Sequence, residues 1–186
     1  MTKKERMFGF VGETWNPVKG CTHGCQYCWA KRMAKWVYGD AFTPKIFENR
    51  LRYSKKNKWV FVCDMGDLFC KAIPSEWIEE VIKVVAGADP SNTFLFLTKN
   101  PRRFFEFLGS FSPNCILGCT IETNRDEIVG KISKAPRVSE RYKAMVELDW
   151  PRKMLSIEPI MDFDLEVFLD WISHISPEIC AIGYDN

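Results

Sequence analysis

No run in these 186 residues approaches the ~18 consecutive apolar positions that a helix needs to cross a bilayer. The basic start, Met1 to Arg6, leads only into the short apolar stretch Phe8 to Val11 before Glu13, so the hydrophobic core of an export signal is missing as well. A flexible linker, an internal repeat and a low-complexity tract are also absent. These absences predict one domain over residues 1–186, located in the cytoplasm and without a membrane partner. An apolar content of 46 % with 27 % charged residues suits a globular chain with a sizeable core.

Eight cysteines without a secretion signal argue against a disulfide framework and for reduced thiols. Five of them, Cys63, Cys70, Cys115, Cys119 and Cys180, are spread through apolar, strand-like segments with no CxxC pair, and read as small buried hydrophobes. A second cluster built from Cys63, Cys70 and Cys115 finds little support in that spacing. The other three are concentrated. Cys21, Cys25 and Cys28 fall within eight residues, and no fourth cysteine is near them in sequence.

Three soft thiolates on one loop suit a four-iron cluster held at three corners, which leaves the fourth iron open. Gly20 and Gly24 allow the tight turns that would bring amides close to sulfur. Zinc is the competing reading, with Cys21, His23, Cys25 and Cys28 as a closed Cys3His set. Ligands only two residues apart crowd a tetrahedron, however. An electron-transfer ferredoxin would want a fourth cysteine.

The net charge of +2 conceals a local excess. Between Lys31 and Lys58 stand nine basic residues against Asp40 and Glu48, a balance of +7. That stretch reads either as a solvated loop and helix face or as a phosphate-facing patch for nucleic acid or a phosphorylated substrate. Composition does not choose between them.

Short apolar runs alternate with helical patterns along the rest of the chain. An early strand before Cys21 is followed by runs at 59–63, 93–98, 115–121, 154–157 and 179–182. Helices are expected over 29–38, 101–108, within 137–148 and over 165–175, and after Ser75, which can cap its helix. In the first of these Trp29, Met33, Trp36 and Val37 share one face, Trp29 anchoring it in the core, and Gly39 can cap its carboxyl end. Strands buried on both faces and separated by helices predict an α/β fold, an open partial (β/α)6 barrel of parallel strands with its site at their carboxyl ends. Only Gly183 to Asn186 follow the final run, so the closing elements are expected to be short or absent.

The Cys-x3-Cys-x2-Cys spacing, with Tyr27 before the last cysteine, resembles the signature of the radical S-adenosylmethionine (SAM) superfamily. Thr14-Trp-Asn-Pro-Val-Lys-Gly-Cys21, Met65-Gly-Asp-Leu-Phe69, Leu97-Thr-Lys-Asn-Pro101, Thr120-Ile-Glu-Thr-Asn124 and Ser156-Ile-Glu-Pro159 together resemble an uncharacterised family of radical-SAM-like proteins from bacteriophages and bacteria. The chain departs from that family's pattern at its ending, Ile182-Gly-Tyr-Asp-Asn186. More distantly, the Tyr-Cys-Trp stretch is similar to that of the spore photoproduct lyases, which repair DNA.

The resemblance implies a [4Fe-4S] cluster on Cys21, Cys25 and Cys28, with SAM chelated to the open iron. Reductive cleavage of SAM would give a 5′-deoxyadenosyl radical that takes a hydrogen atom from the substrate. A flavodoxin or ferredoxin would be the reductant, and nucleic acid is the first guess for a substrate. By the same resemblance Gly66 and Asp67 stand where the SAM amino group is held, and Tyr27 packs near adenine. Glu122 and Glu158 each follow an isoleucine at a strand end, where they could meet ribose hydroxyls or a cation, or be partnered by Lys99 or arginines. Lys99 is a candidate for a substrate or SAM carboxylate, or for a structural ion pair. Thr120 and Asn124 are further polar contacts. A binding module for nucleic acid, stabilised by zinc or an iron–sulfur cluster, is the non-catalytic alternative.

Overall fold

Six short apolar segments lie side by side in the computed structural model, which describes residues 8–39 and 42–184. Met1–Arg6, Asp40 of the basic stretch, and Asp185 and Asn186 of the ending lie outside the described residues. Along the chain, β1 (Glu13–Trp15) is followed by the two-residue strands β2 (Val18–Lys19) and β3 (Lys45–Ile46), then β4 (Trp59–Val62), β5 (Thr93–Thr98), β6 (Cys115–Thr120), β7 (Lys153–Ile157) and β8 (Ile179–Ile182). The main sheet has the order β1-β4-β5-β6-β7-β8 and every pairing in it is parallel. Its edge strands β1 and β8 do not pair, so the expected open (β/α)6 arrangement holds and there is no closed barrel. A separate antiparallel ladder sets Val18 opposite Ile46. Two-residue strands such as these carry no readable periodicity.

The strands read as continuous apolar runs because both of their faces are covered. Val60, Val62, Phe94, Phe96, Leu117 and Leu155 pack in the larger core. Alternate residues Phe61, Leu95, Ile116 and Met154 meet Phe8 and Val11 in a smaller cluster on the other face. That smaller cluster floors the cavity described below. Gly118 belongs to the same face: a Cβ there would stand 3.0 Å from Leu97 Cδ1 and 3.3 Å from Met154 Cβ.

The helices are α1 (Trp29–Tyr38), α2 (Ser75–Ala86), α3 (Asp126–Gly130), α4 (Val138–Glu147) and α5 (Leu165–Ile175), with 3₁₀ turns over Glu48–Arg50 and Pro101–Ser110. Ile78, Val81, Ile82 and Val85 form the buried stripe of α2, as their spacing predicts. Ser75 is its first helical residue and not its cap. Pro74 takes the cap position, and Ser75 Oγ instead accepts a hydrogen bond from Arg103 Nη2 at 2.9 Å.

A larger correction concerns α1. Its buried face is Ala30 and Ala34, whereas Met33, Trp36 and Val37 are exposed, Trp36 by 85 %. Trp29 is half-buried against the cavity and does not anchor the core. Small alanines let the helix approach closely, which leaves its larger apolar side chains on the outside. Among the other cysteines, Cys63, Cys70, Cys115 and Cys119 are buried as expected, but Cys180 is exposed on β8. Among the described residues no helix is long and apolar enough to cross a membrane.

Candidate functional site

Between β2 and α1 the chain turns through Gly20 (φ +80°) and Gly24 (φ +63°), and the three clustered cysteines occupy this loop. Gly20 pairs with Gly66 in an isolated parallel bridge. A Cβ on Gly66 would sit 2.6 Å from Gly20 N, and one on Gly20 would sit 2.4 Å from the Thr43 carbonyl oxygen. Both glycines are therefore required by stacked backbone segments. The close approach that Gly66 permits is that of the cysteine loop itself.

Each thiol meets a hydrogen-bonding group. Cys28 lies just before α1, and its Sγ accepts from the Lys31 amide at 3.3 Å, in the manner of a helix cap. Cys25 Sγ is 3.1 Å from Ser133 Oγ, and the His23 amide bonds Cys21. Burial pushes the Cys21 and Cys28 thiols up from their ordinary range, so metal uptake must displace their protons. Among the described residues, no three His, Cys, Asp or Glu groups converge to hold one metal ion. His23 is buried, and its Nε2 lies 2.9 Å from Asp67 Oδ2.

The loop lines one side of a cavity of about 1000 Å³ at the carboxyl ends of the strands. All three cysteines contribute to it, as do Tyr27, Gly66, Asp67, Lys99, Thr120 and Glu158. Three carboxylates in this region have very different surroundings. Asp67 accepts from the Phe69 amide and the Thr98 hydroxyl on Oδ1, and meets His23 and the Lys99 amide on Oδ2. Burial alone would raise its pKa, but these partners outweigh burial and hold the carboxyl below its usual range. Its four acceptor directions are thus already taken, which does not suit the expected contact with a SAM ammonium.

Glu122 is fully buried and is absent from the cavity lining. Its oxygens meet Lys99 Nζ at 2.9 Å, Arg141 Nη1 at 2.8 Å and the Tyr27 hydroxyl. Burial opposes ionisation, yet the two cations and the tyrosine hold the carboxyl at about 2. Of its two expected roles, the structure gives Glu122 the partnered one. Lys99 serves that pair and also lines the cavity, with Nζ 5.3 Å from the Tyr27 ring centroid.

Glu158 contrasts with both. It is half-buried on the cavity wall, and among the described residues no donor bonds its carboxylate. Burial raises its pKa, and Lys99 offsets this only in part. Asn124 is not brought to the cavity. Its side chain bonds Asp164, with Oδ1 accepting from the Asp164 amide at 2.9 Å and Nδ2 donating to Oδ2 at 3.2 Å, so it fastens the start of α5.

Sequence reasoning missed Arg141 and Ser133. Arg141 is 0 % exposed, and its Nη2 has no partner among the described residues. A signal for it existed: Val138, Arg141, Met145 and Leu148 recur at helical spacing, which puts the arginine on the apolar stripe of α4.

Residues 6–175 match a family described as protein of unknown function, DUF5131. The chain belongs to the DUF5131 family. No curated protein sequence matches this DUF5131 chain. Its fold is similar to solved structures of spore photoproduct lyase. One, a variant with bound AdoMet and dinucleoside spore photoproduct, has a TM-score of 0.68 at 12 % identity, covering 90 % of this chain and 55 % of that one. Another, complexed with dinucleoside spore photoproduct, has a TM-score of 0.65 at 12 % identity, covering 87 % and 52 %. The DUF5131 chain therefore shares the fold of these lyase structures, and spans about half the length of the solved structures it matches.

Proposed function

We propose that this DUF5131 protein is a cytoplasmic radical SAM enzyme, with Cys21, Cys25 and Cys28 holding a [4Fe-4S] cluster at the mouth of the cavity. The observation that carries this reading is the arrangement of three thiols from one loop on one wall of an open cavity, with Glu158, a carboxylate that no donor bonds among the described residues, elsewhere on its lining. The donor set fits the group. Soft sulfurs that do not converge on one point suit several metals better than one zinc ion, which would draw its ligands to within about 2.3 Å. His23, the fourth ligand that zinc would need, is turned to Asp67 through Nε2.

When bound and reduced, the cluster supplies the electron that cleaves SAM to methionine and a 5′-deoxyadenosyl radical. The chain's own residues do the rest. Glu158 is the carboxylate able to accept from the ammonium or ribose hydroxyls of SAM, taking the role that Asp67 is too well bonded to play. Thr120 adds a polar contact on the same wall, Lys99 faces the SAM carboxylate while held by Glu122, and Tyr27 offers its ring to adenine. The apolar floor of Phe8, Val11 and Phe61 excludes water below.

The substrate class we favour is nucleic acid. Arg32 and Arg50 border the cavity, exposed Arg52 lies next to it, and the Arg50 guanidinium sits 4.2 Å from the Phe47 ring centroid. With Trp36 standing out from α1, the rim offers both phosphate contacts and a stacking surface. The neighbouring lyase structures bound to dinucleoside spore photoproduct support the same class. A flavodoxin or ferredoxin would deliver the electron.

Incubation of the reconstituted chain with SAM and dithionite tests the proposal. Release of 5′-deoxyadenosine is expected, together with salt-dependent binding to single-stranded DNA or RNA. Binding with no SAM cleavage under any reductant would leave a metal-stabilised nucleic-acid-binding module instead.

A further inference from the structure

The three thiols are not equivalent. Cys21 and Cys28 are half-exposed, whereas Cys25 is 6 % exposed. It is covered by a segment more than a hundred residues away, the connection between α3 and α4. The Gln26 amide donates to the Ile132 carbonyl at 3.0 Å, and the Lys134 amide donates to the His23 carbonyl at 2.6 Å. Between these two bonds Ser133 Oγ meets Cys25 Sγ at 3.1 Å.

The direction of that last bond follows from its surroundings. The Ala135 amide donates to Ser133 Oγ at 3.1 Å, so the serine's own hydrogen is left for the sulfur. A metal-bound thiolate has no proton to give, which makes Ser133 the donor. The segment is fixed at both ends. The Ile132 and Ser133 amides bond the Val129 carbonyl, and the Pro136 carbonyl accepts from Arg141 Nε at 2.8 Å. Arg141 in turn holds Glu122, so the buried ion pair and the strap form one unit behind Cys25.

We propose that Ser133 is a positioning residue that donates its hydroxyl hydrogen to the Cys25 thiolate, and that residues 132–136 are a strap closing this corner of the cluster site to solvent. The inference rests on the proposed cluster. A donor to a ligating sulfur stabilises the reduced, more negative cluster most, and so raises its potential. Exclusion of solvent from the same corner slows oxidative loss.

The test compares the wild-type chain, Ser133→Ala and Ser133→Thr after anaerobic reconstitution with iron and sulfide. Iron content, midpoint potential by dye-mediated titration and the rate of bleaching in air are read for each. Ser133→Ala is expected to load fully, to be reduced at a more negative potential and to bleach several-fold faster, with Ser133→Thr close to wild type. Loss of iron from Ser133→Ala alone, with Ser133→Thr still loaded, equally supports the hydroxyl. A fully loaded Ser133→Ala with wild-type potential and bleaching overturns the proposal, as does equal iron loss from both variants. A wild-type chain that takes up no iron is a different result, because it removes the cluster and this proposal with it.

Discussion

Glu122 and Glu158 each follow an isoleucine near the carboxyl end of adjacent strands, yet the two carboxylates have opposite fates. Glu122 lies behind the cavity wall with a lysine, an arginine and a tyrosine on its oxygens. Glu158 lies on the wall itself with no hydrogen-bond donor among the described residues. The difference originates on the neighbouring elements. α4 carries Arg141 on its apolar stripe and Lys99 directly follows β5, so Glu122 is ion-paired with two cations, whereas at Glu158 Lys99 only partly offsets burial. One glutamate holds the fold around the cysteine loop, and the other remains available for a ligand.

Exchanging each for glutamine separates these roles. Glu122→Gln leaves the Arg141 charge buried without its counter-ion and is expected to cost about 3–5 kcal/mol in urea unfolding. Glu158→Gln should leave unfolding nearly unchanged and weaken SAM binding to the loaded chain about 10–100-fold, the range for a lost hydrogen bond to a charged group. Equal losses of stability from the two substitutions would collapse the distinction.

Acid titration sharpens the same contrast. Glu122 has its folded pKa depressed from 4.5 to about 2, so its stabilisation is fully present above 4.5 and is lost as pH falls through about 2. Glu158 is raised, so it adds no stability in that window. Acid unfolding curves should therefore flatten between pH 4.5 and 2 in Glu122→Gln and keep their slope in Glu158→Gln.

Asp67→Asn comes next in expected size. It turns a carboxylate with four hydrogen-bonding partners into a neutral amide and should cost about 2–3 kcal/mol, loosening the cysteine loop through His23. The smallest contrast lies within that loop. Gly20→Ala combines a positive φ with a backbone clash, whereas Gly24→Ala has a positive φ and its nearest contact at 4.0 Å. The second should cost only about 1–2 kcal/mol, and the first measurably more, in the same unfolding experiment.

The parallel strands were legible because burial on two faces writes continuous apolar runs, as in Thr93–Thr98 and Cys115–Thr120. The cysteine loop was legible because its ligands are adjacent in sequence. The rest of the site depends on contacts across the fold. Nothing near Asp67 announces that His23, Thr98 and the Lys99 amide will occupy its oxygens, and nothing near Ser133 announces Cys25, 108 positions away. Helix α1 misled for a different reason. Its tryptophans dominate the hydrophobic pattern, but Ala30 and Ala34 face the core because close packing there favours small side chains.

Iron and sulfide analysis of the anaerobically reconstituted chain, with its visible spectrum before and after SAM, tests the three-cysteine cluster most directly. A brown protein with about four irons per chain, a spectrum perturbed by SAM, and loss of the iron in Cys25→Ala are expected. A colourless chain that takes up no iron, or one that binds stoichiometric zinc in its place, would contradict the cluster.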